Sequence, residues 1–270
     1  MMGKNRILYV CQEIKPYLPE SDMANLCRTL SQAMQERGNE IRTFMPRYGC
    51  INEYRNQLHE VIRLSGMNLI INDNDHQLII KVASIPSARV QIYFIDNDDC
   101  FSRKAVLVDD EGKAFEDNDE RAIFFARGVL ETVKKLRWEP TIVHCHGWFS
   151  SIVPIYLREV FSDDPIFKDV KIVASIYGEG FEGELSSEMV NKIVNEGVDA
   201  KKMKNIEQPS YQNLMKLVID YADGIIVETP ELDASIAEYL AASGKRVLEY
   251  QDKTTTEYLD NYQKFYDELL

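Results

Sequence analysis

Short runs of β-branched residues alternate along this chain with longer stretches of helical period, and that alternation constrains the fold more than any other feature. RILYV (6–10), EIRTFMP (40–46), TIVHC (141–145), VKIVASIY (170–177) and GIIVETP (224–230) each have the length and composition of a buried strand. Between them lie segments whose apolar residues recur at three and four. From Ser21 to Gly38 these are Met23, Leu26, Cys27, Leu30, Ala33 and Met34, with Gly38 as a natural C′ residue. NDERAIFFARGVLETVKKL (118–136) repeats the pattern, with a capping Asn or Asp before it and Lys134 and Lys135 complementing its C-terminal dipole. SSIVPIYLREVF (150–161), YQNLMKLVIDYAD (211–223) and a last stretch from Thr255 to Leu270 continue the series. Strands joined through helices pair in parallel, so the expected fold is α/β, with a Rossmann-like doubly wound, mainly parallel sheet. QLIIKVASI (77–85) and RVQIYFIDN (89–97), flanking a turn at PSA (86–88), predict a hairpin added to it, while INDNDHQ (71–77) reads as a plain turn.

Composition removes several functional classes. The 270 residues carry 31 Lys and Arg against 44 Asp and Glu, a net charge of -13, which leaves no broad electrostatic footprint for nucleic acid or an anionic membrane. No apolar run approaches the roughly 20 residues needed to span a bilayer, and MMGKNRILYVCQEI turns polar too soon for a secretory signal, so a cytoplasmic location is expected. The five cysteines, Cys11, Cys27, Cys50, Cys100 and Cys145, are scattered and form no C-x-x-C pair, which predicts reduced thiols buried in a core.

In an open α/β sheet, ligands bind outside the carboxyl ends of the strands. PTIVHCHGWFSSIVPIYL (140–157) is a buried strand that ends in His144, His146 and Trp148 and passes at once into a helix. With RILYVCQEIKPYL (6–18), YFIDNDDCFSR (93–103), HCHGWFSS (144–151) and YADGIIVETPEL (221–232), the chain resembles the glycogen and starch synthases over roughly residues 5–235. These are retaining glycosyltransferases of the GT-B fold, in which two Rossmann-like domains face each other and hold a nucleotide-activated glucose between them. The resemblance implies a single GT-B N-terminal-type domain over residues 1–250 and a C-terminal helix, 251–270, that packs back on it. The approximately thirty residues after GIIVETPELDASIAEYLA are too few for a second Rossmann unit of roughly 100 residues, so the expectation is a chain without the family's second domain.

Carried over position by position, the family's phosphate-holding motifs are thinned. Its first strand leads through C-S-E into a K-x-G-G-L-A-D loop. Here Cys11 and Glu13 remain, the lysine falls on Pro19, the glycines on Ser21 and Asp22, and the aspartate on Asn25, with Ala24 retained. Glycines there allow close approach of an anion to a helix N-terminus, whereas Asp22 acts as a first-turn or capping carboxylate and puts its own charge in the place of the phosphate. The H-x-H-D-W-H motif becomes His144, Cys145, His146, Gly147, Trp148 and Phe149. The histidine of a third motif, T-x-H-N, falls on Ile176, followed by Tyr177, and Lys216 matches a family lysine but also reads as a solvated helix residue.

The candidate ligand-binding residues are therefore Glu13, Ser21, Asp22, His146, Trp148, Tyr177 and Lys216, with no catalytic residue, no metal ligand and no cofactor assigned. Each has a plainer reading: a satisfied histidine at a strand end, a core tryptophan, a helix cap. YGEGFEGEL (177–185) has glycine-rich spacing, but its acids repel phosphate, and it reads as a flexible acidic turn. FEDNDERA and DNDD lack the spacing of a calcium loop. Three functions stay in view. The first is a non-catalytic or partner-dependent homologue that binds a nucleotide sugar such as ADP-glucose, an α-glucan, or a partner enzyme of glycogen metabolism. The second is an active ADP-glucose-dependent glycosyltransferase, and the third is half of a split enzyme.

Overall fold

The computed structural model describes residues 5–85 and 88–270. β1 (Arg6–Cys11) lies at the centre, and Ile7 to Cys11 are wholly buried, as a strand covered on both faces requires. α1 (Asp22–Glu36) carries the chain to β2 (Glu40–Pro46), which pairs in parallel with β1. An antiparallel excursion follows: β3 (His59–Glu60), β4 (Met67–Ile71), β5 (Asn74–Ile85) and β6 (Val90–Asp96). β6 returns to parallel pairing beside β2. A one-turn helix, α2 (Asp98–Phe101), and the long α3 (Asn118–Leu136) lead back across the sheet to β7 (Ile142–His146) on the other side of β1. α4 (Ile152–Glu159), β8 (Lys171–Ile176), α5 (Met189–Asn195), α6 (Tyr211–Tyr221), β9 (Gly224–Val227), α7 (Ala234–Ser243), β10 (Arg246–Leu248) and α8 (Glu257–Leu269) complete the chain.

The described strands form one sheet in the order β10-β9-β8-β7-β1-β2-β6-β5-β3, with β4 joined to β5 off that path. The order reverses direction at β1, and right-handed crossovers then place α1 on one face and α3, α4, α6 and α7 on the other. The contacts agree: α3, α4, α6 and α7 pack in sequence, and α1 packs with α8. The sheet is mainly parallel and doubly wound.

Two local expectations are corrected. INDNDHQ is no plain turn. Asn72 and Asp73 take φ of 50° and 60°, the conformation of a two-residue type I′ turn, and β4 pairs with β5 from Ile71↔Asn74 to Met67↔Leu78. Alternating exposure in β4, with Leu69 and Ile71 inward, is the period-2 signal of a half-buried strand. β5 and β6 do form the expected hairpin, in register from Ile85↔Val90, although Pro86 and Ser87 of its turn lie outside the described residues. Cys50 is exposed, because it follows Gly49 in a loop beyond the end of β2, whereas Cys11, Cys27, Cys100 and Cys145 are buried. Among the described residues no helix is long and apolar enough to cross a membrane, and no group of three or more His, Cys, Asp and Glu is placed to hold a metal ion.

α8 lies on the α1 face of the sheet with Tyr258, Leu259, Tyr262, Phe265 and Tyr266 buried, the one-sided pattern of its spacing. Phe265 seats against Gly224 at the start of β9, where a Cβ would stand 2.7 Å from Phe265 Cζ, so the absent side chain makes room for the ring. Asn39, itself buried, donates to Gln263 at 2.8 Å, and Arg37 pairs with Asp260 at 2.6 Å, an exposed ion pair that adds little next to the apolar face. Replacing Phe265 with Ala should therefore destabilise the protein by roughly 3–5 kcal/mol in urea unfolding, against less than about 1 kcal/mol for Asp260→Ala.

Candidate functional site

The carboxyl ends of β1, β7, β8 and β9 open into a cleft of about 400 Å³ lined by Glu13, Ser21, Asp22, Trp148 and Tyr177 among others. Five of the seven residues singled out from the sequence thus meet around one cavity. His146 lies directly beneath, fully buried, with its Nδ1 2.8 Å from the Tyr177 hydroxyl. Lys216 stands apart. It projects from α6 toward α7, with Nζ 5.9 Å from the Tyr239 ring centroid, and does not line the cleft.

At the N-terminus of α1 the cap is Ser21, whose Oγ accepts from Ala24 N at 3.0 Å; Asp22 is an exposed first-turn residue. The carboxylate that reaches this helix end is that of Glu13, whose Oε2 accepts from Ser21 Oγ at 2.7 Å. Gln12 Nε2 donates to the other oxygen at 3.3 Å. Partial positive charge at a helix N-terminus is thereby met from within the chain.

Gly147, which stands where the family motif carries an aspartate, has φ of 81°. A Cβ there would lie 2.7 Å from Gln12 Oε1 and 2.9 Å from Met23 Sδ. Gln12 Oε1 in turn accepts from Phe149 N at 3.2 Å, so the glutamine fills the space of a larger side chain and holds the start of the following helical turn. Nor does the third motif place Ile176 at the cleft. That residue is fully buried in β8, and Tyr177 is the one that reaches the cavity. The loop after it is less free than its glycines suggest. Tyr211 donates to the Tyr177 carbonyl at 2.6 Å, and its ring lies against Gly180, where a Cβ would come within 2.3 Å.

Sequence reasoning did not name Glu228, Tyr250 or Lys253, which complete the wall. Glu228 is buried at the end of β9, and its Oε1 accepts from Ser175 Oγ and from the Tyr262 hydroxyl, each at 2.6 Å. Lys253 Nζ lies 2.9 Å from Oε2. A carboxylate directly after a strand that ends in a cleft was the available signal. Lys253 and Tyr250 carried none, because they come from the segment between β10 and α8, far along the chain.

The same contacts orient a buried chain. Since the Ser175 proton goes to Glu228, Ser175 Oγ accepts from His144 Nε2–H at 2.9 Å. His144 Nδ1 is then the acceptor for the Tyr266 hydroxyl at 2.7 Å, and Tyr266 accepts from Tyr9 at 3.3 Å. His144 is held neutral: burial first, and His146 beside it second, push its pKa well below the ordinary value. Burial also raises the Tyr9, Tyr262 and Tyr266 hydroxyls, so these groups act as hydrogen-bond donors and not as charges.

A doubly wound sheet with its cleft at the strand ends and a returning C-terminal helix defines a Rossmann-like α/β domain. A family model described as the starch synthase catalytic domain matches residues 6–245, and the chain belongs to that family. Curated glycogen synthases are similar to it: that of Chlorobium luteolum at 34% identity over 230 residues, covering 85% of this chain and 46% of the relative. For that of Chlorobaculum tepidum the figures are 33% over 253 residues, 89% and 51%. Among solved structures, the catalytic domain of starch synthase IV from Arabidopsis thaliana, bound to ADP and acarbose, superimposes with a TM-score of 0.76 at 15% identity. That match covers 94% of this chain and 53% of the other, so the fold is shared. The chain spans about half the length of the curated relatives it matches.

Two outcomes follow from the geometry. Gly147→Asp, which introduces the aspartate that the resemblance implies there, should destabilise the protein by about 1–3 kcal/mol in chemical unfolding, because it combines positive φ with overlap on Gln12 and Met23. The depressed pKa of His144 means the unfolded state binds one proton more than the native state once pH falls below about 6.5. Its contribution is present in full above that pH and is lost progressively below it. His144→Gln should flatten the pH dependence of unfolding free energy between pH 6.5 and 5 by about 1.4 kcal/mol per unit.

Proposed function

We propose that this chain is a carbohydrate-binding member of the starch synthase family that by itself does not transfer glucose. The observation that carries this reading is the charge of the cleft lining beside the head of α1, the position from which a helix N-terminus would hold a phosphate: Glu13, Asp22, Glu179 and Glu228 line it, and the one lysine among the described lining residues, Lys253, is already paired with Glu228. A phosphate brought within about 4 Å of one of these carboxylates would meet roughly 4 kcal/mol of repulsion at an effective dielectric of 20. Glu13 is a residue that the resemblance implies for active members as well, so the departure lies in Asp22 and in Pro19, where the resemblance implies a glycine and a lysine. A retaining transfer needs positive charge on the departing diphosphate, so this lining opposes the step. Saccharide hydroxyls, by contrast, donate readily to carboxylates, and the acidic cleft favours a neutral polyol over a nucleotide. The curated relatives are named glycogen synthases, which makes an α-glucan the natural saccharide.

In this reading residues 1–250 form the binding domain and 251–270 the helical segment that closes it. The setting is the cytoplasm, with an enzyme of glycogen metabolism as the partner. Incubation of the purified chain with labelled ADP-glucose and glycogen should give no incorporation above a no-protein control. Incorporation that disappears in Glu13→Ala or His146→Ala would overturn the proposal.

A further inference from the structure

Stacking of a sugar ring needs an aromatic face open to solvent. Trp148 does not offer one. It is 5% exposed, with Phe149 and Phe181 packed edge-on at 5.4 and 4.8 Å between ring centroids. Tyr177 is 7% exposed, and its hydroxyl is engaged with His146. Tyr250 is 40% exposed, the most exposed aromatic among the described residues lining the cleft, with Lys253 over one side of its ring.

Tyr250 also belongs to a second cavity. A groove of about 520 Å³ runs between β9, β10 and α7 and shares Thr229, Pro230 and Tyr250 with the cleft. Val227, Leu240 and Val247 give the groove apolar walls, while Glu249 supplies an acceptor at its edge. Lys253 Nζ lies 5.1 Å from the Tyr250 ring centroid while it pairs with Glu228, so the ring is tied to the end of β9. Two cavities joined past one exposed ring suit an extended ligand more than a compact one. Apolar walls with acceptors at the margin match the C–H faces and hydroxyl edges of pyranose rings.

We propose that Tyr250 is the stacking residue of a subsite that continues the cleft over the β9–β10 edge and takes a linear α-1,4-glucan segment. This rests on the carbohydrate reading above. Isothermal titration of the full chain with maltotriose and maltoheptaose tests it. The wild type should bind maltoheptaose more tightly than maltotriose. Tyr250→Ala should weaken maltoheptaose binding about fivefold to tenfold and remove the advantage of length, while Tyr250→Phe stays within about twofold. An exposed residue tolerates these changes, and unchanged thermal unfolding confirms it. Wild-type affinity for maltoheptaose in Tyr250→Ala would overturn the subsite alone. Absence of maltoheptaose binding by the wild type would overturn the carbohydrate reading and the subsite with it.

Discussion

A carboxylate buried at the end of a strand is tolerated only when donors surround it, and the donors around Glu228 hold the functional end of this protein together. Ser175 comes from β8, Tyr262 from α8 and Lys253 from the segment before α8. One acidic group thus fixes the sheet edge, the returning helix and the cleft wall against one another. Through Ser175 it also sets the tautomer of His144, and through His144 the direction of the Tyr266 and Tyr9 hydroxyls. Removal of Glu228 would leave several buried donors unmet at once, a larger loss than any surface ion pair here could produce.

The head of α1 repeats that logic on a smaller scale. A helix N-terminus facing a cleft attracts an anion, and a side chain that supplies the charge competes with any ligand that would. Glu13 and Ser21 meet this need internally, while Gln12 and Met23 close over Gly147. These positions are coupled in space, because Gln12 touches both Glu13 and the turn after Gly147, and Glu13 touches Ser21. What remains is a cavity rich in hydrogen-bond acceptors with apolar extensions, a chemistry suited to saccharide hydroxyls.

Periodicity carried the architecture. The β-branched runs became β1, β2, β7, β8 and β9, and the three-four spacing of residues 118–136 became α3, because burial on both faces or on one stripe leaves a mark at a fixed interval. The motifs at the ends of β1 and β7 placed Glu13, Ser21 and Trp148 around one cavity with His146 buried beneath it, since parallel strands bring their carboxyl ends to one edge. Sequence reading faltered where a decision rests on distant partners. The Asp117 expected to cap α3 makes no cap bond and instead holds Arg103 through contacts of 2.8 and 2.5 Å. Trp148 stood as a candidate ligand-binding residue, yet Phe149 and Phe181 pack edge-on against its ring.

By itself, then, the sequence determined the α/β class, the helices and most strands, the family and the acidic character of the cleft, all of which depend on local spacing and composition. Only the tertiary structure decided that Glu228 would be the hub, that Tyr250 and Lys253 would wall the cleft, and that Lys216 would face α7. The first two outcomes depend on segments that approach one another when α8 folds back across the sheet, and the third on the packing of α6 against α7 on the other face. The free energy that seats α8 comes from burying Tyr262, Phe265 and Tyr266 against strands far away in the chain, and no local pattern records it.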